Sequence, residues 1–282
     1  MDSDISTVVP FQTPDRHRLR MAVSLGPEHL SYAIYDPLAD SDSERLRYTD
    51  IRLHRSQLTE FPEVNDLEDA VYSHPSMLAD YGRVDVSIDT RELLLTPAEA
   101  DSRLAESMAD ATMSADVDKI LAETHGKLCD ASAWLRLPAT LDAFIRRTFN
   151  TPRYHHPMVT MARCYCVDTT TPSPVINLHF FGNRGLYIVI RRDNRLLLAN
   201  SFEVRADSDA LYYTLAAINA VGLTAADVRV RTSGHAERRQ SASTMLADSF
   251  DDIAPASLPA PLLREGPAIL PIPVELSSLL LL

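Results

Sequence analysis

Glycine is scarce in this chain, with 8 in 282 residues, against the ~7% usual in globular proteins. Sites that cradle phosphates need the backbone to approach the ligand at several points, and glycine permits that approach. Such a site has few places to form here. Cysteine is scarcer still: Cys129, Cys164 and Cys166 are too few and too unevenly spaced for a disulfide framework, which fits a reducing compartment. Nothing approaches the ~20 apolar residues of a membrane helix. The opening "MDSDISTVVPFQTPDRHRLR" lacks the apolar core of a secretory signal. Excess positive charge is missing too, the formal net charge being -12. All of the acidic excess lies in residues 1–150, with 27 acidic and 15 basic side chains, while residues 151–282 hold 12 of each. Such a chain repels nucleic acid and anionic membranes at long range. A soluble, cytoplasmic protein is expected.

At 45% hydrophobic, the chain can bury a sizeable core. Residues 1–17 are polar and interrupted by proline, and read as a disordered tail. Next, "LRMAVSL" and "LSYAIYD" are short β-rich runs around a "GPEH" turn, followed by a third run, "LRYTDIRLH". "NDLEDAVYSH" sets Leu67, Ala70 and Val71 on one helical face, with Gly82 as the expected C-terminal stop after "PSMLADYG". "RVDVSID" returns as a strand, with Asp85, Ser87 and Asp89 on the face away from Val84, Val86 and Ile88. The order is β-β-β-α-β.

The second half repeats it. "VINLHFF", "LYIVIRR" and "RLLLANSFEV" are strands joined through "GNRG" and through Asp193 and Asn194, which tolerate the positive φ of a tight hairpin. "SDALYYTLAAINAVG" is a helix with Leu211, Leu215 and Ile218 on one stripe, Asp207 or Ser208 as N-cap and Gly222 at its end. "DVRVRTSG" closes the unit as a strand. Between the copies, "TPAE" at residues 96–99 reads as a capping box opening a helix to about Met108, "SAWLRL" as a strand, and "PATLDAFIRRTF" as a helix begun by Pro138. The turn-rich "NTPRYHHP" divides the chain into units 18–150 and 151–282. The four leucines at residues 279–282 are expected to pack on the domain.

A meander, a helix and a further strand, duplicated within one chain, resembles the actin-like ATPase fold, in which each half is an RNase H-like unit. "INLHFFGNRGLYIVI" with "LLLANSFEVRADSDALYYTLAAINAVGLTAADVRV" resembles the bacterial family of domain of unknown function 3822, chiefly through Asn200 to Phe202 and Asp209 to Tyr213. "VSLGPEHLSYAIYD" and "VDVSIDTRELLLTPAEA" extend the likeness over most of residues 19–235. The resemblance implies an actin-like fold and no particular activity. Similar actin-like domains serve as docking platforms in type IV pilus and type II secretion assembly.

An actin-like ATPase places an Asp-x-Gly at each phosphate hairpin, because Mg²⁺ wants oxygen ligands and the phosphates want free backbone N–H groups. Here the first hairpin reads Ser24, Leu25, Gly26, Pro27, without the acid and with one N–H removed by proline. The second offers the neutral Asn177 and a turn of Gly182, Asn183, Arg184 and Gly185; the adenosine turn has Ser233 and Gly234 as its counterpart. If a nucleotide binds, it binds at Ser24, Gly26, Asn177, Gly182, Arg184, Ser233 and Gly234, with acids recruited from Asp36 or Asp209.

Other constellations point to structure rather than chemistry. His155, His156, Cys164 and Cys166 carry zinc-ligand atoms, but "VTMARCYCV" reads as a strand with both thiols on one face, so the cysteines are small buried hydrophobes. Asp85 and Asp89 share a strand face as nuclease acids do, yet read as a solvated face. Arg191, Arg192, Arg195, Arg229 and Arg231 could form an anion or nucleic-acid surface, but no aromatic residues alternate with them and they read as ordinary surface charge. Tyr212 and Tyr213 read as packing residues of a half-buried helix face. The expectation is a non-catalytic module without a cofactor that binds another protein or its own copy. A divergent nucleotide-binding ATPase or kinase is the alternative; an anion or nucleic-acid binder is a third.

Overall fold

The computed structural model describes residues 18–53, 61–113, 118–165, 174–181, 184–193, 195–265, 269 and 272–281. β1 (Arg20–Gly26) and β2 (His29–Tyr35) form an antiparallel hairpin that ends in the Gly26 and His29 pair. A short helix, α1 (Asp42–Arg45), leads into β3 (Leu46–Arg52), antiparallel to β2. The amphipathic α2 (Val64–Tyr72) then crosses over to β4 (Arg83–Ile88), which runs parallel to β1. One face of this sheet carries Met21, Val23 and Leu25 with Val84, Val86 and Ile88, and buries them under Leu67 and Val71. The opposite face holds small or polar residues: Ala22, Ser24, Ser31, Ala33, Asp85 and Ser87, all buried.

An excursion follows. β5 (Leu93–Pro97), α3 (Ser102–Thr112), β6 (Lys119–Glu123) and β7 (Ala131–Pro138) make an antiparallel sheet in the order β5-β7-β6. α4 (Ala139–Thr148) packs Leu141, Phe144 and Ile145 into the first core. β8 (Arg153–His155) is the fifth strand of the first sheet, parallel to β4, and α5 (Pro157–Tyr165) follows it.

β9 (Val175–Phe181), β10 (Gly185–Arg192) and β11 (Arg195–Glu203) form the second meander, α6 (Asp207–Ala220) crosses over, and β12 (Arg229–Gly234) returns parallel to β9. α7 (Ala236–Leu246) leads to β13 (Ile253–Pro255), parallel to β12. The strand orders β3-β2-β1-β4-β8 and β11-β10-β9-β12-β13 are equivalent, so the repeat read from the sequence is present in the fold. α8 (Ala260–Arg264) and α9 (Val274–Leu281) end the described chain. No helix among the described residues is long and apolar enough to cross a membrane.

α9 turns back onto the first sheet. It lies against β1, β2, β4 and α5, and its Leu276, Leu279 and Leu280 bury against Ala22, Ala33 and Tyr165. The side chains of Arg20 and Arg83 donate to the carbonyls of Leu280 and Leu279 at 3.0 and 2.9 Å, satisfying groups a helix end leaves open. The leucines at 279 and 280 pack as expected; residue 282 lies outside the described residues.

Several local expectations are corrected. Residues 96 and 97 are strand, not a capping box: the Thr96 hydroxyl accepts from Trp134 Nε1 at 3.0 Å, and Asp101 caps α3 by accepting from the Leu104 N–H at 2.8 Å. The run from Val159 to Tyr165 is helical, with Val159, Met161, Ala162, Cys164 and Tyr165 all buried, so burial on nearly every side left no helical stripe to read. Gly82 does not adopt positive φ; α2 stops at Ser73, and the Gly82 N–H donates to Leu19. The N-cap of α6 is Ala206, so Asp207 and Ser208 fall inside the helix. Asp209 reaches back to the N–H groups of Arg205 and Ala206 at 2.8 and 3.0 Å. Asp193 at φ 54 and Gly222 at φ 70 turn the chain as expected.

Candidate functional site

The first hairpin brings Ser24 and Gly26 to the end of β1, but the space beside Gly26 belongs to the protein. A methyl group there would collide with the imidazole of His29. Gly234 at the end of β12 has φ +85, and a Cβ there would run into the Phe180 carbonyl of the neighbouring strand, so the position requires glycine on both counts. Ser233 shares a hydrogen bond with His179 Nδ1 at 3.0 Å. Arg184 is exposed and pairs with Glu203 at 3.6 Å. Asn177 is buried between Val189 and Arg231, and neither atom of its carboxamide has a hydrogen-bond partner among the described residues. Gly182 lies outside the described residues. Ser24 and Gly26 thus sit on the first sheet, while Asn177, Ser233 and Gly234 share the second.

The acids named as substitutes have local work. Asp36 pairs with Arg18 at 2.9 Å and accepts from the Leu38 N–H at 3.0 Å. Asp209 caps α6. Asp85 is not solvated: it is 0% exposed, accepts from His155 Nε2 at 2.7 Å and from Arg83 Nε at 2.5 Å. The alternation gave its face correctly and could not show that α9 covers that face. Burial alone would raise the Asp85 carboxyl, but the hydrogen bond and charge of His155, then Arg83, outweigh it and hold it below the usual range. His156 points elsewhere, its Nε2–H donating to Thr90 O at 2.9 Å, and burial lowers its pKa. Cys164 lies against Ser278, its thiol pushed up to about 11 by burial; Cys166 falls outside the described residues. The described parts of the zinc set face different partners.

Of the arginines, Arg191 is buried, contrary to the surface reading, beside a register irregularity between β10 and β11; Arg231 is half-buried against Asp252 at 2.7 Å. Arg192 and Arg195 are exposed, and Arg229 is half-buried. Tyr213 stacks on Phe202 at 4.5 Å between ring centroids, whereas Tyr212 is 67% exposed and meets the Tyr213 ring edge-on at 5.4 Å rather than packing into the core.

The seam between the two sheets was not read from the sequence. Tyr187 of β10 stacks on Phe181 at 3.9 Å and donates to Asp89 Oδ1 at 2.6 Å, tying the second sheet to the end of β4. Burial, then the Asp89 charge, raises the Tyr187 phenol well above its ordinary value, so it stays a donor. Burial lowers His179 beside it to about 4. Glu275, the single acid of "VELSSLLL", opens α9; burial, and more weakly the Asp89 charge, raise its carboxyl. A charged residue heading a leucine-rich run was the available signal.

Between the first hairpin and the start of α9 lies a cavity of ≈ 490 Å³. Ser24, Ser31, Glu28 and His29 line it from the hairpin, Tyr48, Asp50 and Arg52 from β3, and Pro273 and Glu275 from the approach to α9. Its chemistry is polar and largely acidic.

The fold is the actin-like ATPase fold. A protein of Bacteroides thetaiotaomicron with an actin-like ATPase fold and unknown function aligns at TM-score 0.75 and 14% identity, over 94% of this chain and 96% of that one. A chain of the PilM–PilN type IV pilus biogenesis complex aligns at TM-score 0.51 and 11% identity, over 93% and 97%. No curated protein matches the sequence. The model of the family "Protein of unknown function (DUF3822)" matches residues 10–251, and the chain belongs to that family.

Proposed function

We propose that this chain is a non-catalytic actin-fold module that acts in the cytoplasm by binding another protein or a second copy of itself. Its two RNase H-like subdomains, residues 18–150 and 151–282, form the binding platform, with β8 and α9 crossing from the second to complete the first. The observation that carries this reading is the position of α9. It covers the small-residue face of β1, β2 and β4 through Leu276, Leu279 and Leu280, with Arg20 and Arg83 holding its last carbonyls. A nucleotide on that face would have to displace it. Ser24 and Asn177 stand where metal-binding acids belong, and Asp36 and Asp209 are engaged in local hydrogen bonds. The PilM–PilN structure of the same fold is a protein complex, the class of action inferred here.

The test is affinity capture from cells that make the chain, run beside an ATP-hydrolysis assay. A discrete protein retained in near-equal amount, insensitive to Mg-ATP, with no turnover above buffer, is the expected result. Magnesium-dependent hydrolysis that follows the chain through purification overturns it.

A further inference from the structure

We propose that the second sheet binds inorganic phosphate in its monohydrogen form, on the face that carries Asn177, between the Asn177 carboxamide and the Arg229 guanidinium. This goes beyond the protein-binding reading and does not depend on it.

The strand register brings the groups together. Arg191 and Arg229 stand on either side of Val175, and Val189 and Arg231 on either side of Asn177. Paired residues, and residues two apart on one strand, share a face of the sheet. Asn177 therefore has Arg231 beside it, with Arg191 and Arg229 on its diagonals at about 7–8 Å, a separation that long side chains bridge. Arg229 pairs with the first residue of β9, at the far end of that strand from the turn at residues 182–185. The site is thus distinct from the phosphate hairpin considered above.

Two observations on different strands call for a ligand. Asn177 is 4% exposed, and neither its Nδ2 nor its Oδ1 has a hydrogen-bond partner among the described residues. On the neighbouring strand, Arg229 Nε and Nη2 are likewise buried atoms without a partner there. Polar atoms buried unmatched carry a desolvation penalty that a bound ion removes. Nε and Nη2 are adjacent donors on one edge of the guanidinium, the fork that grips two oxygens of an oxyanion. The carboxamide adds one donating and one accepting atom. Monohydrogen phosphate answers all four: two oxygens take the fork, a third accepts from Nδ2, and the hydroxyl donates to Oδ1. Sulfate has no hydroxyl to give, and a carboxylate lacks the third oxygen as well. The surrounding charge favours an anion. Asp252 is spent on Arg231, at 2.7 and 3.3 Å, and Arg191 reaches the Asp193 carbonyl at 3.4 Å. Arg229 acts on Asp252 only through space. It is half-buried, which leaves the patch a border with solvent.

The experiment is an NMR titration of the ¹⁵N-labelled full chain, dialysed free of phosphate, with sodium phosphate, sodium sulfate and sodium acetate at neutral pH and matched ionic strength. Phosphate should shift the Asn177 carboxamide and Arg229 Nε–H signals saturably. Sulfate should bind about tenfold more weakly, and acetate should leave both signals in place. Arg229→Lys keeps the charge and loses the fork, and should weaken phosphate binding about tenfold. Asn177→Leu, which replaces the unmatched carboxamide by an apolar side chain of similar size, should abolish it. Should that interior variant fail to fold, the half-buried Arg229→Lys still decides the matter. Equal responses to the three anions, no saturable response to phosphate, or an affinity that Arg229→Lys leaves unchanged overturns the proposal.

Discussion

Gly26 and Gly234 each abut protein atoms, but atoms that yield differently. At Gly26 the obstacle to a methyl group is the His29 ring, which can swing away; at Gly234 it is the Phe180 backbone, and φ is +85. Gly26→Ala should cost under about 1 kcal/mol and Gly234→Ala about 2 kcal/mol or more, read by urea unfolding. Asp85 is the most consequential charge. Removing it in Asp85→Asn leaves Arg83 and His155 uncompensated in the interior, a loss of roughly 3–5 kcal/mol. Its folded-state pKa is depressed, so its contribution is complete above the unfolded value of about 3.9 and disappears as acidification carries it through the lower folded value. His179 pulls the same way. Its folded value of about 4 lies below the unfolded value of about 6.5, so the unfolded chain takes up the proton first. Stability should fall by on the order of 3 kcal/mol as pH drops across that window, and His179→Leu should flatten this part of the profile.

At the scale of elements, α9 is the piece on which the proposed platform depends. Leu276 is fully buried, and Leu276→Ala should cost about 2–5 kcal/mol by unfolding. Arg20→Ala or Arg83→Ala should speed hydrogen exchange of the α9 amides, with smaller effects on β9 and β10; uniform acceleration would argue against a separate docking role. The strands were legible because each alternates or runs apolar between turn formers. "VINLHFF" and "LYIVIRR" have no competing reading, and Asp193 marks their partner's turn. α5 was not legible, because a helix buried on nearly every side shows no stripe. The break at residues 96–99 misled for another reason: a capping box needs a free threonine hydroxyl, and Trp134, 38 residues away in sequence, takes it. Ser24 and Gly26 lie on β1 and Asn177 on β9, the first strands of the two meanders. That α9 and Glu275 lie over the first of these is a long-range fact that no local pattern encodes.

For the molecule as a whole, two sheets of equivalent topology are pinned by Tyr187 and Asp89, and the chain's own C-terminal helix lies across the face ending in the first hairpin. The actin-like fold supplies the scaffold and does not by itself supply the chemistry. Isothermal titration of the full chain with Mg-ATP tests this most directly. Heats indistinguishable from dilution through the micromolar range are predicted; saturable, magnesium-dependent binding in that range would contradict the proposed non-catalytic role.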